Sequence, residues 1–318
     1  DNVFAVGENG VILHYDGISW NIMDSGTEAR LMDIYCMSDN EVFVTGEHNR
    51  TGLTLKYNGS AWTNIVSGVP TINSIWGTNG QNLYGITCGY IFHLENSEWR
   101  VIEEGSSYDL RSAWGNSPNN IFVVGEHGTV LQFDGMSWNR METGTSEYLY
   151  DIWGISETEV YAVGRNGLIL IFDGNSWSEM ESGTGYNLFS IWGNSSHNIF
   201  VVGTQGRILH FDGTSWSKME RGVCDYLYGV YGIGSTDVYT VGSSGVILHF
   251  DGISWGKMDS GIATTLYDIH CMSKQDIFAV GGGGILKYKE SQWIEMLGDF
   301  PSRIHFIWGH DNELFEAV

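Results

Sequence analysis

Three aspartates recur in closely similar local sequence: Asp33 in Met-Asp-Ile-Tyr, Asp151 in Tyr-Asp-Ile-Trp and Asp268 in Tyr-Asp-Ile-His. Carboxylates gathered from separate parts of a chain can hold a cation or move a proton. The same residue beside a loop more often accepts backbone N–H groups. Both readings are open for Asp33, Asp151 and Asp268. Histidine offers less chemistry, because His14, His93, His210 and His249 stand where other parts of the chain place Gln132 or Ile171. No His-x-x-x-His, Cys-x-x-Cys or phosphate-loop pattern occurs. A recurring Gly-x-x-Gly lacks the helix start that phosphate cradling needs. No cofactor and no catalytic set is indicated.

A second group of candidates lies between those glycines. The intervening pairs differ from copy to copy: Glu8-Asn9, Glu126-His127, Arg165-Asn166, Thr204-Gln205, Ser243-Ser244 and Gly282-Gly283. One copy is lengthened through Glu47-His48-Asn49-Arg50-Thr51, and another is shortened around Cys88-Gly89. A constant frame with variable tips is how a scaffold presents recognition groups, although solvated turns also drift freely.

The frame itself is a repeat. Tryptophans stand at Trp20, Trp62, Trp99, Trp138, Trp177, Trp216, Trp255 and Trp293, at intervals of 37 to 42 residues. The unit is clearest from Leu149 to Thr184 and reads as four short strands, near Leu149–Gly154, Val160–Val163, Leu168–Phe172 and Trp177–Met180. Each is an apolar run rich in β-branched and aromatic residues, bounded by turn formers such as Gly164, Gly167 and Asp173-Gly174. The middle strands are apolar at nearly every position (Ile199–Val202), which predicts sheets covered on both faces. A first-strand aromatic also recurs, as Trp76, Trp114, Trp153, Trp192 and Trp308, with Tyr35, Tyr231 and His270 elsewhere. Burying such a ring removes ~150–250 Å², at most roughly 4–6 kcal/mol, enough to hold neighbouring units together.

These units resemble the blades of bacterial β-propeller repeat proteins, with the four-stranded pattern also seen in WD40 and Kelch propellers. Asp-Gly-x-Ser-Trp (Asp134 to Trp138, Asp212 to Trp216) is similar to the Asp-box of sialidase-type propellers, with Asp and Trp one residue closer together. That family's chemistry is not carried over, since the nine arginines share no repeat position for clamping a carboxylate. The expected fold class is all-β, a closed eight-bladed β-propeller with four-stranded antiparallel blades. Ile304–Gly309 would supply the first strand missing from the N-terminal blade and seal the ring. Leu314–Val318 is a surplus second-strand copy. Residues 1–318 read as one domain, beginning and ending inside a repeat and therefore as a piece of a longer chain.

The chain carries 38 acidic residues against 15 Lys and Arg, a formal charge of -23. That balance argues against nucleic acid and acidic membrane surfaces as partners. No run approaches the ~18 apolar residues of a membrane helix, so no membrane insertion is expected. Cys36 and Cys271 fill a position where other repeats have Gly and read as small buried side chains rather than a bridge. The leading functional reading is a non-catalytic recognition scaffold, part of an extracellular or cell-surface protein, that binds a protein or glycan through its loop-rich face. A multivalent lectin is the alternative, and a polysaccharide-processing enzyme using Asp151 in an acidic channel is a third.

Overall fold

The computed structural model describes residues 2–79, 82–87, 89–95, 98–103, 109–117, 119–220, 222–296 and 302–310. Their strands form eight separate four-stranded antiparallel sheets. The eight first strands adjoin one another in an unbroken circle, so each sheet is a blade around a central channel. Blade 1 combines Asn2–Gly7, Ile12–Tyr15 and Trp20–Met23 with Ile304–His310 as its innermost strand. The first strands of blades 2 to 8 are Arg30–Ser38, Ser74–Asn79, Leu110–Ser117, Leu149–Ser156, Leu188–Ser195, Leu227–Gly234 and Leu266–Ser273. The ring closes as expected: Phe4 pairs with Trp308 and Val3 with Gly309, which leaves the first blade no open inner edge. The surplus copy Leu314–Val318 lies outside the described residues.

Sequence-based strand limits hold to within one or two residues, the second strands starting one earlier with a polar residue such as Glu159 or Asn198. Second strands are covered on both faces, with Ile199, Phe200, Val201 and Val202 wholly buried. The seams are aromatic. A fourth-strand tryptophan meets the second-strand ring of the preceding blade edge-on: Trp177 on Phe122 at 6.0 Å, Trp255 on Phe200 at 5.8 Å, and Trp20 on Phe278 at 5.4 Å across the closing seam.

First-strand tryptophans hold blades together in a different way. Trp114 lies against Gly154 and Trp153 against Gly193, each in the following blade, while one edge of the indole stays open to the channel. Cys36 and Cys271 replace that glycine; both are buried and unbridged, and burial pushes their thiols well above the ordinary value.

Candidate functional site

The loops between second and third strands are built identically in five blades. Glu8 is near-helical, Asn9 has φ 58°, and Gly10 has φ 69°; His127, Asn166, Gln205 and Ser244 repeat the left-handed turn of Asn9. A Cβ at Gly10 would overlap the carbonyl oxygen of Thr27, which is why the closing glycine recurs. The Gly10 N–H donates to Ala29 O at 2.6 Å and the Gly128 N–H to Glu147 O at 2.7 Å. These loops therefore sit on the connectors that lead to the next blade, and both share one face of the disc.

Several tip residues are engaged there. Asn9 Nδ2 donates to Ser302 Oγ at 3.2 Å, Asn166 Nδ2 to Glu147 Oε1 at 3.1 Å, and Arg111 pairs with Glu126 at 3.2 Å. The Arg165 guanidinium lies over Tyr148 at 5.9 Å, and His127 rests near the same ring at 5.8 Å. Glu8, Glu47, Thr204 and Ser243 are half-buried, whereas Asn9, His48, Gln205 and Ser244 are exposed. The lengthened copy raises its hairpin by pairing Glu47 with Gly52 and His48 with Thr51, around a two-residue turn at Asn49 and Arg50.

Inside this ring of tips lies a feature that the sequence reading missed. Nearly every first strand carries a β-bulge at its second residue, where pairing skips from Leu149 to Asp151 and from Leu266 to Asp268. A bulge turns its extra residue out of the alternation. In blades 5 to 8 that residue is Tyr150, Phe189, Tyr228 and Tyr267, followed by His305 in blade 1. Their rings form a chain along the channel mouth, with centroids 5.5, 5.7, 6.3 and 5.8 Å apart in that order. Tyr226, 44% exposed, extends the chain outward beside Phe189 and Tyr228. Leu-Tyr-Asp-Ile, Leu-Phe-Ser-Ile and Leu-Tyr-Gly-Val carry the signal, hidden because the aromatic reads as an ordinary strand position.

Each of the three aspartates directly follows a bulge residue, Asp151 after Tyr150, Asp268 after Tyr267 and Asp33 after Met32. Asp151 accepts from Ser112 Oγ of blade 4 (2.8 Å), from its neighbour Ile152 N (2.9 Å) and from Ile191 N of blade 6 (3.0 Å), which ties three blades together. Asp33 accepts from Ile75 N at 2.9 Å, and Asp268 from Ile307 N at 3.3 Å. Each carboxyl is a staple to the following blade. Burial pushes Asp33 up to about 6 and Asp268 up to about 7, and the charges of Asp33 and Asp151 add to the shift at Asp268. Among the described residues no group of three or more His, Cys, Asp or Glu could hold a metal ion. In blade 1 the equivalent residue is Phe306, 41% exposed.

The remaining candidates are structural. His14 stacks on Phe4 at 4.5 Å and His249 on Tyr239 at 4.4 Å, His210 lies tilted on Phe200 at 4.6 Å, and His210 and His249 reach Asn198 and Asp237. Hairpin aspartates such as Asp134 accept the N–H groups two and three residues on, as turn formation predicts. Gly252 to Gly256 spells Gly-x-Ser-x-Gly, but the Ser254 N–H is bound to Asp251 within such a hairpin and a strand follows, so no nucleophile elbow forms. Arg30 and Arg303 share one place, just ahead of Leu31 and Ile304, which corrects the view that no arginines align. Burial first, then Arg30, lowers the pKa of His305 between them. A groove of about 840 Å³ opens on the opposite face at the closing seam, where Lys287 is already bound to Asp276.

No protein-family model matches the chain, and no curated protein matches it. Solved structures do. YCF48 bound to D1 peptide superposes with a TM-score of 0.63 at 15% identity, covering 88% of this chain and 96% of that one. Sqt1 of Chaetomium thermophilum gives 0.68 at 12% identity (90% and 87%), and the C-terminal WD40 domain of Sif2 gives 0.71 at 9% identity (89% and 90%). At such identities the likeness is one of fold: the chain is a β-propeller with WD40-like four-stranded blades.

Proposed function

We propose that this protein is a non-catalytic recognition scaffold that binds a partner protein in extended form across the channel mouth of its loop-rich face. One observation carries the reading: five successive first strands use a bulge to present Tyr150, Phe189, Tyr228, Tyr267 and His305 as a continuous, partly open aromatic arc. Aromatic rings offer large contact area with few rotatable bonds, and such residues dominate binding energy at interfaces. A fold that needed them only as glue would bury them, as it buries Phe200 and Phe278. Glu126-His127 and Arg165-Asn166 border the arc and would set specificity, with the raised Glu47-His48 hairpin as a side wall. YCF48, solved with a D1 peptide, is a propeller of similar fold that takes a peptide, which agrees with this reading.

The experiment is selection of a random peptide library on the immobilised protein. Selected peptides should lose binding to a Tyr228→Ala, Tyr267→Ala variant and keep it on an Ile253→Ala variant of the opposite face. An empty selection, or binders indifferent to the tyrosines, would remove the proposal. A glycan is the second reading, because exposed tyrosine faces also stack on sugars; glycan-array hits abolished by Tyr267→Ala would put it first.

A further inference from the structure

The partner's chemistry can be narrowed, on the assumption that the arc is the binding surface proposed above. On this face the chain already covers tyrosine rings with guanidinium groups: Arg165 over Tyr148 and Arg207 over Tyr186 at 5.0 Å. Those are outer rings. Of the inner rings, Phe189 and Tyr228 are stacked, Tyr150 meets Phe189 edge-on and Tyr267 is tilted against Tyr228, and among the described residues no Lys or Arg lies over them. Asp151 and Asp268 follow Tyr150 and Tyr267 directly. Their partners are backbone N–H groups and the hydroxyls of Ser112 and Ser190, with no salt bridge among the described residues. A row of aromatic rings beside two buried carboxyls without counter-charge, in a chain of net charge -23, is complementary to positive charge, and a cation brought over the rings would also draw the protons off those carboxyls. Arg30 and Arg303 flank His305, whose Nε2 lies 3.7 Å from Glu8 Oε1, at the far end of the arc, and their two positive charges mark where such a ligand would stop.

We propose that the loop-rich face receives a basic extended segment of a partner protein, whose arginine or lysine side chains lie across Tyr150, Phe189, Tyr228 and Tyr267 beside Asp151 and Asp268. Overall charge steers the segment in, and the rings fix where it settles.

The test uses a synthetic peptide alternating arginine and glycine, with glutamine and glutamate versions, titrated against the whole protein at about 50 mM and about 300 mM salt. The arginine peptide should bind and the others should not. Tyr228→Leu with Tyr267→Leu should weaken it about tenfold or more, while the same pair changed to Phe stays within a few-fold. Either leucine change alone, about threefold weaker, gives the same reading should the double variant not fold. Neutralising opposite-face acids (Asp134→Asn with Asp251→Asn) should leave binding unchanged. Loss in that variant equal to the loss in the leucine pair would mean diffuse attraction to an acidic protein and would overturn the inference. So would equal binding of the glutamine peptide, or tighter binding of the glutamate peptide through Arg30 and Arg303. Library peptides that are neutral or acidic yet depend on Tyr228 would end the cationic inference and leave the scaffold reading standing.

Discussion

Trp153 lies so closely on Gly193 of the following blade that a Cβ at position 193 would stand 2.8 Å from Cη2 of the indole. The same fit recurs between Trp114 and Gly154 and between Trp192 and Gly232. Large side chain and missing side chain are halves of one contact, so the tryptophan and glycine of the first strand repeat together. Gly193→Ala should therefore cost about 1–3 kcal/mol by overpacking, since a rigid indole cannot bend away. Urea unfolding measures it. A cost below about 0.5 kcal/mol would mean that the seam relaxes and the contact is not limiting.

Lys287 carries the closing seam. Its Nζ lies 2.6 Å from both Asp276 Oδ1 and Tyr15 Oη, and 4.3 Å from the Tyr15 ring centroid, joining the last blade to the first. Burial pulls the ammonium down, but its bonds to Asp276 and Tyr15 outweigh that and hold it above the ordinary lysine value. Lys287→Ala leaves Asp276 charged, with only the Ser273 hydroxyl, 3.3 Å from Oδ2, beside it. Breaking a fully buried pair costs about 3–5 kcal/mol, and residual water at Asp276 reduces this to about 2–3 kcal/mol. Lys287→Met, which keeps the volume, should be equally poor with Asp276 present but recover most of the loss when combined with Asp276→Leu. Chemical denaturation of the four proteins reads out the cycle.

Much of this was legible in the sequence because the repeat reports the same physics many times. Tryptophan spacing, apolar second strands and Asp-Gly hairpins each follow from local rules, and together they gave blade number and ring closure. The site was less legible. Tyr228 looks like any strand aromatic until pairing shows that Leu227 and Gly229 are consecutive in register, which depends on a neighbouring strand. The tips are more constrained than their variation implies. Variation at Asn9 or Asn166 suggested freedom, yet both sit in left-handed backbone and reach across to a connector. Nor does sequence show that the Asp151 partners come from the blades on either side.

The raised hairpin supplies a stabilising change. Asn49 and Arg50 both have positive φ, 53° and 65°, as the two central residues of a mirror-image turn. Asparagine tolerates that region and arginine does so at a cost, whereas Asn-Gly is the favoured pair. Arg50→Gly should raise stability by about 0.5–1 kcal/mol, seen as a higher thermal midpoint. A lower midpoint would show that the Arg50 side chain contributes more than its backbone strain takes away.

The channel carboxyls set a pH dependence whose sign follows from their burial. An unfolded aspartate titrates near ~3.9, whereas Asp33 and Asp268 are pushed up to about 6 and about 7, and Asp151 is raised as well. Between those limits the folded chain keeps protons that the unfolded chain has released. The contribution of these groups is therefore complete below about pH 4 and is lost as pH climbs through 6 and 7. Hairpin aspartates act in reverse. The Thr214 hydroxyl and the Ser215 N–H lower Asp212 to about 2, and backbone N–H groups lower Asp134 and Asp251, so their contribution fades as pH falls below about 4. The thermal midpoint should accordingly rise as pH is lowered from 8 to about 5 and fall again in stronger acid. Asp268→Asn removes the titrating group and should flatten the upper limb while leaving the acid limb in place. An upper limb of unchanged slope in that variant would assign the effect to general repulsion among the chain's acidic groups instead of to the channel.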